Sequence, residues 1–150
     1  MTAVRRATPD DAAAIERLVE EAGLPLAGLR GVALRFVAED DHGPAGVAAL
    51  EEHGSGSERA LLLRSVVTRP DARGTGVGAA LVRAALLHGD EVQAPIALLT
   101  ETAECWFPRF GFRVVPRGDL PPTLAASEEL RGACALTARA MLRPHGRTAG

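Results

Sequence analysis

The amino-acid sequence predicts one α/β or α+β domain built around a mixed sheet. Three observations lead to this fold class. The stretch ALLLRSVV is almost continuously apolar and ends in β-branched residues, which is typical of a central strand buried on both faces. A glycine-rich loop connects this stretch directly to an amphipathic helix at Gly76 to His88. Further strand-like segments lie on both sides of this unit, so strands and helices alternate around one sheet.

The N-terminal elements are a short strand and a helix. Val4 to Ala7 favours a strand, and Thr8 and Pro9 suit the N-cap and the first position of a helix. Asp11 supplies an acid in the first turn, and Gly23 is expected to end the helix. The apolar residues of this helix recur at helical spacing, at Ala12, Ile15, Leu18, Val19 and Ala22.

The middle of the chain predicts a hairpin and a buried strand. Leu34 to Glu39 and Gly46 to Glu51 are strand-like, and the polar turn DDHGP between them favours a β-hairpin. After the glycine-rich loop and its helix, Gly89 is a stop signal. Ala94 to Leu99 then predicts another buried strand.

The C-terminal part predicts a short helix and two strands. Thr102 to Phe110 favours a helix that ends at Gly111 and places its aromatic residues, Trp106 among them, in the core. Phe112 to Val115 and Ala135 to Leu142 are expected to be strands. We therefore predict one domain over residues 1–142 and a disordered tail over residues 143–150.

Composition and charge restrict the function. The chain has 17 basic and 19 acidic residues and a formal net charge of -2, so it lacks the basic surface that nucleic acid or an anionic membrane would require. No signal peptide and no run of about 20 apolar residues is present, which predicts a cytoplasmic protein with a small-molecule substrate. Cys105 and Cys134 are expected to be reduced, buried thiols. Neither they nor the histidines are spaced as metal ligands, so no metal is predicted.

The most informative stretch is VVTRPDARGTGVGAALV, in which a buried strand leads through a loop into a helix. Unpaired backbone amides at the start of a helix point outward together, and the helix dipole favours an anion there. Gly74, Gly76 and Gly78 let this backbone approach a phosphate, and Arg73 can add a charge-assisted hydrogen bond. The order of elements therefore predicts a phosphate site.

Other interpretations of these glycines remain open at this point. They could form a tight turn and nothing more. The segment GTGVGA also matches the dinucleotide fingerprint, with Glu101 downstream, but in that fold the glycines follow the first strand, whereas here a helix and three strands precede them. The P-loop ending of lysine and serine or threonine is absent, and the chain contains no lysine.

The loop resembles motif A of the GNAT N-acetyltransferases, whose pattern Q/R-x-x-G-x-G/A is met by Arg73, Gly76 and Gly78. The segment TAECWFPRFGF resembles the second motif of that family. The resemblance implies a mostly antiparallel mixed sheet flanked by helices, in which the strand before the loop splays from its neighbour. It also implies acetyl-CoA as co-substrate. The residues that would bind it are Val66, Val67, Thr68, Arg73, Gly74, Thr75, Gly76, Val77, Gly78, Ala79, Thr102 and Phe107.

A narrower resemblance concerns the acceptor. The segments GLPLAGL and LLLRSVV, with the late Arg117 and Cys134, are similar to a subfamily of arsenic-resistance N-acetyltransferases. This similarity implies an amine-bearing, amino-acid-like acceptor, of which an organoarsenical is one example. Arg64 in the central strand is the reason to expect that acceptor to be anionic. A homodimer is also compatible with the fold.

The expected chemistry is direct attack of a neutral amine on the thioester. A backbone amide near Val67 would stabilise the oxyanion, and Glu51 could accept the ammonium proton. Solvated carboxylates at strand ends are common, so a surface role for Glu51 is the alternative. Many relatives carry a tyrosine four residues before the Gly-Phe pair to protonate the CoA thiolate, but this chain has Phe107 there and no tyrosine at all. An acyl-CoA-binding module without turnover is therefore the competing function.

Arg64 and Ser65 interrupt the apolar central strand, and we expect them to face the acceptor. A buried charge is costly unless it is paired. Arg64 could clamp a carboxylate of the acceptor with its planar fork, or it could form a core salt bridge to a glutamate.

Overall fold

The computed structural model describes residues 3–133 and 137–145. Within them a mixed, mostly antiparallel sheet is flanked by the helices α1 (Ala12–Glu21) and α2 (Val77–Glu91). The strands in the described part are β1 (Ala3–Arg6), β2 (Leu34–Asp40), β3 (Gly43–His53), β4 (Ala60–Thr68), β5 (Ile96–Thr100), β6 (Arg113–Val115) and β7 (Arg139–Arg143). They lie in the order β1-β2-β3-β4-β5-β7-β6, and β4 and β5 form the parallel pair. The predicted fold class is confirmed.

The start of α1 follows the sequence signals closely. Pro9–Asp11 forms one 3-10 turn that continues into α1. The Asp11 carboxylate accepts a hydrogen bond from the backbone N–H of Thr8 at 2.7 Å, and the Arg5 guanidinium donates two more. The hydrogen bonds from Arg5 hold the pKa of Asp11 well below its usual range. This capping box satisfies amides that would otherwise have no partner at the start of the helix.

Two predictions of helix boundaries are wrong. Gly89 lies inside α2 and not at its end. A Cβ at this position would lie 2.7 Å from Cδ1 of Ile96, so the glycine is needed for the close packing of α2 on β5 and does not end the helix. The predicted helix at Thr102 to Phe110 is reduced to the 3-10 turn Phe107–Phe110. Pro108 has no N–H to donate and would clash inside an α-helix, which explains the shorter element.

The chain ends and the cysteines also differ from expectation. β7 begins at Arg139 and extends to Arg143. Arg143 forms an ion pair with Asp90 at 3.0 Å, so the predicted tail over residues 143–150 starts too early. Cys105 is exposed and not buried. Cys134, the first part of the predicted closing strand, and residues 146–150 lie outside the described residues. No helix in the described ranges is long and apolar enough to cross a membrane.

The two faces of the sheet are covered differently. On one face α2 packs over a continuous apolar core that includes Leu50, Leu61 and Leu63. On the other face two smaller clusters are present. One lies under α1 around Val19, and the other surrounds Leu124. Buried polar and charged residues, namely Arg64, Glu51, Ser127 and Glu129, share this second face and contact one another.

A β-bulge at Ser65 sets the direction of the end of β4. In the register with β3, Arg64 lies opposite Ala49 and Val67 lies opposite Val47, so one extra residue is inserted in β4. Ser65 adopts a positive φ of 57°. After the bulge Val66 packs on the core under α2, whereas Val67 packs on the cluster under α1. The bulge thus bends β4 at the point where the predicted site begins.

Gly46 fixes the distance between α2 and the sheet, which leads to a first testable prediction. A Cβ at Gly46 would lie 2.7 Å from the Val67 carbonyl oxygen and 2.9 Å from the side chains of Val77 and Leu81. Because the nearest atom belongs to the backbone, we expect Gly46→Ala to lower the free energy of unfolding by about 1 to 3 kcal/mol. Thermal denaturation measures this effect.

The control is Gly31→Ala, at a site where a Cβ meets no atom within 4 Å. It should change the melting temperature little. Equal melting temperatures for the Gly46→Ala and Gly31→Ala proteins would contradict the close approach described here.

Candidate functional site

A cleft opens where β4 and β5 separate. These strands pair only at Leu61 with Ile96 and at Leu62 with Ala97, after which they diverge. The cavity between them has a volume of about 650 Å³. Its walls include β4 from Leu63 to Thr68, and Leu99 to Ala103 at the end of β5. A splay of this kind exposes strand backbone on the inside of the cavity, where it can bind an extended ligand.

The glycine-rich loop borders the cleft on the α2 face of the sheet. Arg73 and Gly78 line the cavity, and Gly76 has a positive φ of 88° and is the N-cap of α2. A Cβ on Gly78 would lie 3.3 Å from the Thr68 hydroxyl oxygen and 3.5 Å from the Trp106 ring, so a side chain there would narrow the entrance. The first amides of α2 therefore meet the cleft without a side chain between them.

Most of the residues predicted to bind acetyl-CoA meet at this cleft. Those that line it are Val66, Val67, Thr68, Arg73, Gly78, Thr102 and Phe107. Gly74, Thr75 and Gly76 are exposed on the loop beside it. The Val77 side chain is buried in the core, and Ala79 packs against that core, so these two can offer only backbone groups. Their roles as ligand-binding residues stay predictions.

Arg64 lies in the polar part of the second face, and its fork is occupied by protein acceptors. Its Nη1 donates to the Ala27 carbonyl at 2.6 Å and to Glu51 Oε2 at 3.0 Å, and Nη2 donates to the Pro25 carbonyl at 3.0 Å. Nε donates to the Ser65 hydroxyl at 3.2 Å, and the side chain is 0% exposed. Of the two alternatives for Arg64, the structure shows the core salt bridge to Glu51. It does not show a guanidinium with free donors that could clamp a carboxylate of the acceptor.

Glu51 is poorly placed for the proposed role as a base. It does not line the cleft between β4 and β5 but a second, shallower cavity near His53 and Ser127. Its carboxylate binds Arg64 through one oxygen and His53 Nε2 through the other, at 2.8 Å. Burial opposes ionisation, but hydrogen bonds from His53, Ser127 and Arg64 outweigh it and hold the pKa of Glu51 below its usual value. A carboxylate with a lowered pKa is a weaker base.

This lowered pKa leads to a second prediction. Because the pKa of Glu51 is lower in the folded than in the unfolded protein, its stabilising contribution is complete above the usual value of about 4.3 and is lost as the pH falls below it. The difference in unfolding free energy between wild type and Glu51→Gln should therefore be larger at pH 7 than in acid. Urea denaturation at both pH values measures it, with Glu52→Gln as the matched substitution. A difference that does not change with pH would contradict this account.

Several residues that line the cleft are not marked as site residues by the sequence, and Leu24, Pro25, Glu129 and Trp106 are among them. Leu24 and Pro25, which follow α1, line it, as does Glu129 from the segment before the last strand. Their positions depend on tertiary packing, so no local motif marks them. Trp106 was expected in the core but also borders the cleft, in edge-to-face contact with Phe107 at 4.9 Å. Its position directly before Phe107, inside the second motif, is the signal that the sequence offers.

Comparison with known families decides between the interpretations of the glycine loop. A family model for the acetyltransferase (GNAT) domain matches residues 33–114, which is more than half of the chain. The chain belongs to the GNAT acetyltransferase family. The matched residues include β4, the glycine loop, α2 and the Gly-Phe pair. Motif A therefore lies next to the separated strands β4 and β5. The interpretation of the glycine loop as a dinucleotide-binding fingerprint is excluded.

Solved structures agree with this assignment. The N-acetylglutamate synthase from Neisseria gonorrhoeae, in complex with coenzyme A and N-acetyl-glutamate, is 20% identical, with a TM-score of 0.79 over 98% of this chain and 36% of that one. A GNAT family acetyltransferase from Staphylococcus aureus Mu50 is 15% identical, with a TM-score of 0.76 over 97% of this chain and 100% of that one. A GNAT family acetyltransferase from Brucella melitensis, in complex with acetyl-CoA, is 28% identical, with a TM-score of 0.61 over 75% and 83% of the two chains.

The solved structures differ in how much of their own length this chain matches. This GNAT domain spans about a third of the length of the N-acetylglutamate synthase chains that it matches, at 36% and 34%. No curated protein sequence matches it significantly. The relatives below 25% identity therefore support the fold, and the ligands named for them are ligands of those proteins.

Proposed function

We propose that this GNAT domain transfers the acetyl group of acetyl-CoA to the amine of a small acceptor, with the chain up to the end of β7 at Arg143 acting as one catalytic unit. The observation that carries the proposal is the cleft between the diverging ends of β4 and β5, bordered by the glycine loop at the start of α2. Family membership and the acetyl-CoA complex of the Brucella melitensis relative, at 28% identity, support the choice of co-substrate.

In this proposal the two halves of acetyl-CoA use different parts of the cleft. The amides and the Arg73 side chain around the start of α2 hold the pyrophosphate. The exposed backbone of Val66 to Thr68 aligns the pantetheine arm, and the backbone amide near Val67 stabilises the oxyanion. Thr102 and Phe107 line the opposite wall. Holding both substrates together supplies much of the acceleration, because it replaces a bimolecular encounter.

The reaction needs no covalent intermediate on the protein. The neutral amine attacks the thioester carbonyl, the carbon–sulfur bond of the tetrahedral intermediate breaks, and the CoA thiolate takes up a proton as the amine nitrogen loses one. Phe107 is 6% exposed and packs against Trp106 and Phe112, so the position that carries tyrosine in many relatives has no acidic proton here. Water or the departing ammonium proton serves the thiolate instead.

The identity of the acceptor is the finer part of the proposal. The arsenic-resistance resemblance points to an amino-acid-like amine, including organoarsenicals. The complex of the Neisseria gonorrhoeae enzyme with N-acetyl-glutamate supports testing amino acids too. The argument for an anionic acceptor from Arg64 is weakened, because its donors already bind protein oxygens and Ser65.

The experiment is a screen of amines with acetyl-CoA, in which release of the free CoA thiol is measured. The panel contains amino acids, simple alkylamines, aminosugars and an amine-bearing arsenical. Acetylation of any of them above the rate of acetyl-CoA hydrolysis supports the proposal. Tight binding of CoA without thiol release from any amine would favour the non-catalytic acyl-CoA-binding module, for which the missing tyrosine is the specific observation.

A further inference from the structure

The cleft continues through the plane of the sheet to a second end. Gly78 and Trp106 belong to the face that α2 covers, where the glycine loop lies. Ala22 to Pro25 follow α1 and line the same cavity, although α1 covers the opposite face. The bound thioester would lie between these ends, at the splayed part of β4. A second substrate can therefore reach it from the α1 face while acetyl-CoA occupies the α2 face.

One wall of this second end is apolar and held in place. Leu24 is 38% exposed and lines the cavity together with the half-buried Pro25. Arg64 accounts for the position of this wall, because its guanidinium donates hydrogen bonds to the carbonyls of Pro25 and Ala27, at 3.0 and 2.6 Å. A buried side chain that binds two backbone carbonyls restrains the loop before any ligand arrives. The wall is thus pre-formed.

The facing wall carries negative charge. Glu129 lines the cavity with a side chain that is 7% exposed, and its Oε2 lies 3.9 Å from Arg64 Nη2. Glu51 already pairs with Arg64 from the other side, at 3.0 Å. Glu101, Arg64 and Arg73 also line the cavity, and Arg73 belongs to the glycine loop on the α2 face. Away from that loop two lining carboxylates, those of Glu101 and Glu129, accompany one lining guanidinium, that of Arg64, which favours a cationic ligand.

We propose that Leu24, Pro25 and Glu129 form the acceptor subsite, and that it selects a primary amine attached to an apolar body of several carbons. The ammonium group lies beside the Glu129 carboxylate when the acceptor binds, and it gives one proton to solvent before the neutral amine attacks; the apolar body packs on Leu24 and Pro25. The subsite rests on the proposed acetyl transfer, and its carboxylates favour amines without an anionic group over the amino-acid-like acceptors. Arg64 is a positioning residue in this arrangement, since it acts through the loop and not through contact with the acceptor.

The test uses the alkylamine series from ethylamine to hexylamine with saturating acetyl-CoA. We expect the Michaelis constant to fall as the chain lengthens, because each buried methylene adds to binding. Leu24→Ala should raise the constant for hexylamine about five- to tenfold, leave that for ethylamine nearly unchanged, and leave the constant for acetyl-CoA unchanged. Leu26→Ala is the matched control, because Leu26 is in the same loop and 39% exposed but does not line the cavity.

Glu129 is tested in the same series. Glu129→Gln keeps the shape of the side chain but removes its charge, so the Michaelis constant for every alkylamine should rise about tenfold or more. Glu128→Gln changes an exposed neighbour that does not line the cleft, and it should behave as the wild type. Equal Michaelis constants for the alkylamines in Glu128→Gln and Glu129→Gln, or in Leu24→Ala and Leu26→Ala, would overturn the assignment of the acceptor subsite.

The subsite and the acetyl transfer fail in different ways. If alkylamines are not acetylated but glutamate or another amine with a carboxylate is, the transfer stands and the subsite is wrong. If no amine releases the CoA thiol, calorimetric titration of hexylamine into the CoA-saturated protein still tests the subsite. Binding that weakens in Leu24→Ala but not in Leu26→Ala supports it, and an absence of binding removes it.

Discussion

A Gly76→Asp variant is expected to fold and to lose at least about a hundredfold in affinity for coenzyme A. Gly76 is the N-cap of α2 and has a positive φ of 88°, and a Cβ there would meet no atom within 4 Å. Aspartate is among the residues that tolerate this backbone region, so the fold should persist. Its carboxylate would stand where the proposed pyrophosphate binds, and two like charges about 4 Å apart repel by up to about 4 kcal/mol near a protein surface. Calorimetric titration with CoA measures the loss.

Two control variants show whether the loss of CoA affinity in Gly76→Asp comes from the negative charge at this position. One tests backbone strain at Gly76, and the other tests the same charge elsewhere. Gly76→Asn has the size of aspartate without its charge, so it should retain much more of the affinity. Gly43→Asp introduces the same charge at another glycine with positive φ, 101°, at the start of β3, and should bind CoA normally. Normal CoA affinity in a folded Gly76→Asp protein would show that the phosphate site lies elsewhere.

Arg64→Met is expected to cause the largest loss of stability, about 3 to 5 kcal/mol. The substitution leaves the Glu51 carboxylate buried without its cationic partner and removes the donors to the carbonyls of Pro25 and Ala27. Methionine fills most of the space, so lost charge and hydrogen bonding dominate over cavity formation. For a chain of this size each kcal/mol corresponds to about 2 to 4 °C, so thermal denaturation should show a decrease of roughly 10 °C.

The matched control is Arg30→Met, which removes the exposed ion pair with Glu16 and should cost less than about 1 kcal/mol. The double variant Arg64→Met with Glu51→Met should recover part of the loss, because Glu51 no longer places a buried carboxylate without its cationic partner. If Arg64→Met melts with the wild type, the ion pair contributes no stability, and a direct role of Arg64 in binding the acceptor returns as the better explanation.

The sequence predicts several elements of the fold well because their signals are local. Thr8, Pro9 and Asp11 begin the turn that leads into α1, as the sequence indicates, and the glycine loop between β4 and α2 lies where motif A predicts it. The bounds of β2, β3 and β5 differ from prediction by a few residues. Alternation and capping depend on neighbours along the chain, so they can be seen without a structure.

The acceptor end could not be predicted in this way because its contacts are distant in sequence. Arg64 binds the carbonyls of Pro25 and Ala27 from 39 and 37 residues away. The sequence indicates that Arg64 must be paired but not with which partner, so the clamp and the salt bridge stayed open. Gly89 shows the same limit, since a glycine near the end of a helix has the same local pattern whether it ends the helix or packs against Ile96.

The bulge at Ser65 has an evolutionary consequence for the length of β4. Arg64 and Val67 lie on the same face of the sheet only because one extra residue separates them, and Val66 returns to the core under α2 for the same reason. Deletion or insertion of a single residue here would exchange the two faces for every side chain and amide from this point to the glycine loop. We therefore expect the number of residues between Leu63 and Val67 to be more constrained than the identity of the serine, so that relatives that share this cleft differ here by substitution and not by gaps.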